Sequence, residues 1–404
     1  MIVHSYVAED PRVRREAEAL VAAGRPVTIL GLRKPGDPDR LDLGGIDIHQ
    51  LDVQRHQGSG LGTYLREYLT FLLTATVKAV RLHRHQRFGL VQVHSLPDFL
   101  VFAALPLRLV GVPVLLDLHE AMPEFFRSRF PRASNRVVHR ALVIQERLSI
   151  AAATHTITVN EAMRDRLIDL GAPADRVDVV INSPSLGRFD IAAHPRRSFR
   201  ADGRLRLIYA GALTPTYELD VAVRAVARIV ADRPELDVHL DVFGVGDTQP
   251  GLAALAAELA VADRVTFHGR VPIDEVSAHV AGADIGLAPT RHDPFTDMSL
   301  STKVFEYAAM GKPVVASALP MVERTFPAGT VAAYRPGDAE AMATAILGFV
   351  DDSVAREASI ARTMAIVHAR AWDGEAPAYV ALVDRLIAGA PAERAGPAVD
   401  AGSP

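Results

Sequence analysis

The sequence has no cysteine. This removes disulfides, thiolate zinc sites and cysteine nucleophiles together, and it suits a reducing compartment. It also lacks a long uninterrupted apolar run. Leu69–Val77 stops at Lys78, far short of the roughly 20 residues a membrane span needs. Phe99–Leu118 is long enough but is broken by Pro106, Arg108, Gly111 and Pro113. The opening MIVHSYVAEDPRVRRE has neither the apolar core nor the small-residue cleavage site of a signal peptide, so a cytoplasmic location is expected. The full Gly-x-Gly-x-x-Gly fingerprint is missing, which argues against a dehydrogenase. No His/Asp/Glu set has metal-ligand spacing. Asp37-Pro-Asp39 sits in a proline- and glycine-rich turn and reads as loop chemistry, so no metal and no cofactor are expected.

What is present is alternation. At 404 residues, two domains are the expectation. In the first half, Asp10 can cap a helix opened by Pro11 and stopped near Gly24. Strands are expected at Val27–Leu30, Leu90–His94, Val114–Leu118, His155–Val159 and Val177–Ile181. Helices are expected over Tyr64–Phe88, Pro97–Val110 and Glu161–Leu170. The second half restarts with strands at Leu205–Ala210, Val238–Phe243, Val265–His268, Asp284–Ala288 and Pro313–Ala316, with helices between them. Such alternation predicts α/β architecture: two doubly wound, Rossmann-like parallel sheets, with ligands beyond the C-terminal ends of the strands. The expected division is a first Rossmann-like domain over 1–187, a linker over 188–203 and a second Rossmann-like domain over 204–370. A crossover helix over 371–388, packing back on the first domain, and a disordered tail over 389–404 follow.

The most informative stretch is RHDPFTDMSLSTKVFEYAAMGKPVVAS, Arg291–Ser317. Its helix begins near Ser299 or Ser301 and ends at Gly311, which places Lys303 in the first turn. The helix dipole disfavours a cation there unless an anion lies between it and the free N–H groups. A diphosphate fits that description. Glu306 lies three residues on, along the same face, and a carboxylate there can accept hydrogen bonds from a ribose diol. A solvated ion pair between the two would have the same spacing. Gly211 and Gly244 each follow a strand, where backbone can approach a phosphate closely or simply turn.

KVFEYAAMGKPVVAS resembles the donor segment of the retaining family-four glycosyltransferases, which have the GT-B fold. DPRVRREAEALVAAG, FGLVQVHSLPDFL, VPVLLDLHEAMPE, YAGALTPTYELD, DRVTFHGRVPIDEV and ADIGLAP agree with it in order, from Val3 to about Leu386. The resemblance implies a glycosyltransferase that moves a sugar from a nucleotide diphosphate sugar to a glycan, lipid-linked or small-molecule acceptor, and no nucleic-acid partner. A non-catalytic nucleotide-sugar-binding relative and an epimerase are the alternatives. It further implies catalytic roles for His119, Glu120 and Lys303, and ribose binding by Glu306. The family's first donor acid falls on Met298, so this Glu-x7-Glu motif is degenerate. Asp297, or backbone N–H groups around Ser299 and Leu300, would have to serve instead. The family's basic pair falls on Ala212 and Thr216–Tyr217, leaving Lys303 with the diphosphate charge. His94 and Arg127 are expected on the acceptor side.

Two stretches combine apolar or aromatic residues with arginine: Tyr64–Phe88, and Phe125–Arg140 with Phe125, Phe126 and Phe130. This composition suits contact with a membrane surface or a lipid phosphate. A buried face backed by a solvated one is the alternative for both.

Overall fold

In the computed structural model, which describes residues 1–53, 61–130, 133–183, 186–194 and 197–389, Asp10 accepts a hydrogen bond from the Val13 N–H. It thereby caps helix Pro11–Ala22. Val13, Ala17 and Leu20 face inward from that helix onto an apolar strand run. The strands are β1 (Val27–Leu32), β2 (Arg40–Leu43), β3 (Ile46–Leu51), β4 (Val91–His94), β5 (Val114–Leu118), β6 (His155–Thr158) and β7 (Val177–Val179). β1 pairs in parallel with β3, and β4 to β7 form a parallel array in that order. Ile2 joins the two sets through bridges to Leu30 and Val93. The hairpin β2–β3 is antiparallel and turns at Gly44–Gly45. Both glycines have positive φ, as a tight hairpin turn requires.

The second sheet is entirely parallel. Its strands β8 (Leu205–Ala210), β9 (Val238–Phe243), β10 (Val265–Gly269), β11 (Ile285–Ala288), β12 (Val314–Ser317) and β13 (Ala332–Tyr334) take the order β10-β9-β8-β11-β12-β13. Sequence neighbours β10 and β11 lie on opposite sides of β8. The order therefore reverses at β8, and a crevice opens beyond the C-terminal ends of β8 and β11.

One expected helix differs in detail. The helix expected over Pro97–Val110 divides into a 3-10 segment, Asp98–Ala104, and a short α-helix, Leu105–Leu109. Pro106 has no N–H to donate to Phe102, so an α-ladder started at Pro97 cannot run through it. The last helix spans Trp372–Ala388, contains Pro377 and buries Trp372 against the first domain. Tyr379, Leu382 and Val383 of this helix pack with Val13, Ala17 and Leu20, so the C-terminal helix crosses back onto the N-terminal domain. The Tyr379 hydroxyl donates to Gln92 Oε1 at 2.6 Å. Residues 390–404, most of the expected disordered tail, lie outside the described residues.

Candidate functional site

The cleft between the sheets is walled by both domains. His119 and Glu120 enter it from the end of β5, and Asn160 enters after β6. Thr216, Tyr217 and the run Met298–Val304 face them. Several contacts tie the walls together. The Asn160 side-chain amide donates to the Met298 carbonyl at 2.8 Å. Phe125 meets Phe295 edge-on at 5.4 Å. Ser128 donates to Asp293 at 2.6 Å, and Arg129 pairs with Asp247 at 2.7 Å.

On the C-terminal side, helix Thr302–Ala309 points its N-terminus into this cleft. Ser301 occupies the capping position with extended backbone, yet its hydroxyl makes no capping bond. Helices led by Asp10, Asn135, Asn160, Asp338 and Asp352 all have side-chain caps. The first turn of the site helix thus lacks a side-chain cap and opens on the cleft. Lys303 is only 7% exposed. Its ammonium lies 3.8 Å from the Tyr217 ring centroid and 5.1 Å from that of Tyr209. It pairs with no carboxylate among the described residues, Glu306 included. A solvated Lys303–Glu306 pair is therefore not what this helix presents. A buried cation resting on two aromatic faces, without a carboxylate partner among the described residues, has the chemistry to attract an anion.

Gly211 makes this possible. A Cβ there would overlap the Lys303 side chain near Cε, so glycine leaves the volume the lysine occupies. Gly244 does something different from the expected donor contact. A Cβ on it would overlap the Gly211 carbonyl, and its N–H donates to Gly269 at 2.7 Å. It is a packing glycine beneath the loop that begins at Gly211. Glu306 sits one turn along the helix, partly buried. Burial pushes its carboxyl above the usual range, against the pull of Lys303 and a hydrogen bond from Thr302.

Met298, Ser299 and Leu300 line the cleft. The Met298 carbonyl is occupied by Asn160, and the Ser299 hydroxyl donates to Phe295. Asp297 does not take the place of the missing acid. Its carboxylate turns to His292 at 3.0 Å and lies off the cleft lining. The short 3-10 turn at Thr296–Met298 sets this direction: with three residues per turn, Asp297 and Met298 project to different sides of it.

The N-terminal wall rests on a buried carboxylate absent from the sequence reading. Asp117, fully buried in β5, receives both nitrogens of Arg12 at 2.7 Å. Its Oδ2 also meets His94 Nδ1 at 2.9 Å and His119 Nδ1 at 3.5 Å. Burial alone would raise the Asp117 pKa, but Arg12 and the two histidines hold it well below the carboxylate range. His119 is 22% exposed and faces the cleft. Burial pulls its pKa down, and Asp117 overcomes that and raises it. Glu120 is pushed up by burial, with His119 pulling the other way. His94 is fully buried behind Asp117 and has no surface in the cleft. It supports His119 from behind and cannot touch an acceptor. Arg127 also departs from expectation. It is exposed and lies off the cleft lining, because its helix turns Phe125 and Ser128 towards the other domain instead.

His94, Asp117 and His119 bring their donor atoms within 4.8 Å of one another. These are metal-ligand types, but Arg12 already takes both Asp117 oxygens and places a cation where a metal would lie. The set does not fit a divalent ion.

The raised His119 pKa carries a stability consequence. The proton is bound more tightly in the folded state, so its contribution is complete below the ordinary histidine value of about 6.5. It is lost as pH rises through the raised value. Thermal melting of wild type and His119→Asn should therefore differ most at acidic pH and converge under alkaline conditions. A constant gap across the range would refute this.

The signal that could have found Asp117 is the acid itself, set inside the apolar run VPVLLDL. A buried carboxylate demands a partner. That the partner is Arg12, 105 residues earlier, is not encoded locally.

Comparison with known proteins adds the following. Residues 10–183 match the family described as Glycosyl transferase 4-like domain, and residues 204–352 match Glycosyl transferases group 1. The D-inositol 3-phosphate glycosyltransferase of Thermobispora bispora is 32% identical over 222 residues, 52% of this chain and 50% of that protein. The chain spans about half the length of the curated relatives it matches. Sucrose-phosphate synthase from Thermosynechococcus elongatus superposes with a TM-score of 0.78 at 20% identity, covering 96% of this chain and 99% of that one. Anabaena HepE in complex with UDP-glucose does so with a TM-score of 0.67 at 15% identity, covering 95% and 99%. These superpositions establish the shared fold, two Rossmann-like domains around a cleft.

Proposed function

We propose that this chain, a member of the GT-B glycosyltransferases to which the matches of both its halves assign it, moves a sugar from a nucleotide diphosphate sugar to an acceptor, with retention and without a metal ion. The observation that carries this reading is the uncapped helix N-terminus with Lys303 held over Tyr217, aimed across the cleft at His119. The diphosphate rests on Lys303 and the free N–H groups, and Glu306 takes the ribose hydroxyls. That HepE is described with UDP-glucose, and the Thermobispora relative as an inositol phosphate glycosyltransferase, agrees with such a donor.

In this reading the bond between the anomeric carbon and the diphosphate oxygen breaks first. The growing negative charge is met by groups already in place, with no reorganisation at the moment of reaction. The acceptor hydroxyl enters from the same face, and its proton passes to the departing diphosphate. His119, oriented by Asp117, bonds the transferred sugar, and Glu120 orients the acceptor. With Met298 in place of an acid, and with the Ser299 N–H already donating to the Thr296 carbonyl, the backbone N–H of Leu300 is left to contact the sugar hydroxyls. The closed cleft excludes water that would otherwise hydrolyse the donor.

Thermal shift against a panel of nucleoside diphosphates and nucleotide sugars tests the pocket. Saturation at a hundredfold excess over Kd should stabilise the protein by about 2.7 kcal/mol. Glu306→Ala removes hydrogen bonding to a charged acceptor, worth about 1.5–3 kcal/mol for one such bond, so affinity should fall by at least roughly 10- to 150-fold. Equal shifts in both proteins, or none with any donor, would sink the assignment.

A further inference from the structure

Most of the large apolar side chains exposed in this protein lie on one layer of the N-terminal domain. Helix Leu61–Gln86 shows Leu65, Leu69, Leu73 and Val77 to solvent, a stripe at four-residue spacing. Leu73 is 67% exposed. Helix Arg136–Ala152 shows Val137, Ile144 and Leu148 in the same way, and between them Leu109 is 79% exposed. These helices form one layer. Leu61–Gln86 and Arg136–Ala152 both pack on the 3-10 segment Asp98–Ala104. Arg108 reaches across to the Ala151 carbonyl at 3.0 Å.

The charges on the layer have one sign. Its acids are all buried: Glu67 and Glu146, paired with His4 and Arg166 respectively, and Asp98 of the 3-10 segment. Arg66, Arg81 and Arg84 are exposed on the first helix, and Arg136, Arg140 and Arg147 on the second. None of these six pairs with a carboxylate among the described residues. The protein as a whole carries a net charge of −4, so this cationic face is a local arrangement rather than a general excess. Among the described residues, no helix is long and apolar enough to cross a membrane.

We infer that this face docks on an anionic lipid surface, lying along it and not through it. The apolar stripes enter the headgroup boundary, and the flanking arginines meet lipid phosphates. Charge decides the occupant. A second copy presenting the same face would bring two unneutralised positive surfaces together, whereas an anionic bilayer neutralises them.

The test is flotation of the full chain with vesicles of phosphatidylcholine alone and of phosphatidylcholine with phosphatidylglycerol. Binding is expected only to the anionic vesicles and should weaken as salt screens it. Arg81→Ala with Arg84→Ala should lower affinity about thirty-fold, since each basic residue near such a surface contributes about five-fold. Leu69→Gln with Leu73→Gln should also weaken binding, and both double variants should melt with wild type because the sites are exposed. Equal binding to neutral vesicles would overturn the inference, as would wild-type binding by the arginine variant. So would a dimer that Leu73→Gln dissociates, with no vesicle binding. Lys303→Met should bind vesicles as wild type does, so this result stands or falls apart from the catalytic reading.

Discussion

Lys303→Met should reduce kcat by about 10²- to 10³-fold, the usual consequence of removing one preorganised donor to a developing oxyanion. The geometry makes the expectation sharp. The ammonium is nearly buried, has no carboxylate partner, and is held in place by Tyr217 beneath it and by the space Gly211 leaves. Methionine retains much of the length and apolar stem but no charge, so packing in the helix is kept while the leaving group loses its counter-ion. The donor's ground state already bears diphosphate charge, so binding should weaken too, though less than turnover if the lysine acts mainly on the transition state. Lys303→Arg should not restore activity. A planar guanidinium is wider than an ammonium and has no room beside Gly211 without moving that loop. Steady-state turnover with a donor identified by thermal shift would decide the matter. Retention of kcat within fivefold in Lys303→Met would show that the diphosphate charge is met elsewhere.

Arg12→Met should destabilise the N-terminal domain by about 3–5 kcal/mol, the cost of leaving one half of a buried ion pair behind. Arg12 is 4% exposed, and it holds both Asp117 and, at 3.2 Å, Glu16. Without it two carboxyl groups remain in the core, and Asp117 no longer has the charge that keeps it ionised. Asp117 contributes stability above the unfolded carboxylate value of about 3.9, and this is lost as pH falls through its depressed folded value. In the variant that acid limb should move to higher pH. Urea unfolding followed across pH measures both effects. A loss below 1 kcal/mol with an unmoved acid limb would mean that the network is not what secures β5. The same experiment bears on His119, because Asp117 orients its imidazole.

Much of the frame was legible because its signals are local. Asp10 before Pro11 marks a helix start, and Gly311 after an apolar-periodic run marks a stop in the left-handed region, with φ of +65°. The β2–β3 hairpin was equally local, announced by Gly44–Gly45, but its exposed first strand has no apolar run to draw attention. The 3-10 break before Leu105 turned on one missing N–H, at Pro106. In the site, Lys303 could be placed in a first turn from sequence spacing alone. Its supports could not, because Tyr209 and Tyr217 come from another strand and loop some ninety residues earlier.

Periodicity and capping residues are properties of neighbours along the chain, so the linear order of residues was sufficient for two α/β domains and for a helix with Lys303 in its first turn. Direction in space is not such a property. That His94 stands behind Asp117 while His119 faces the cleft, that Arg127 points away and that Asp297 turns to His292 all follow from packing between segments distant in sequence. Burial of a charge is likewise settled by what folds over it. Arg12 and Asp117 read as ordinary polar residues until the first helix and the fifth strand meet.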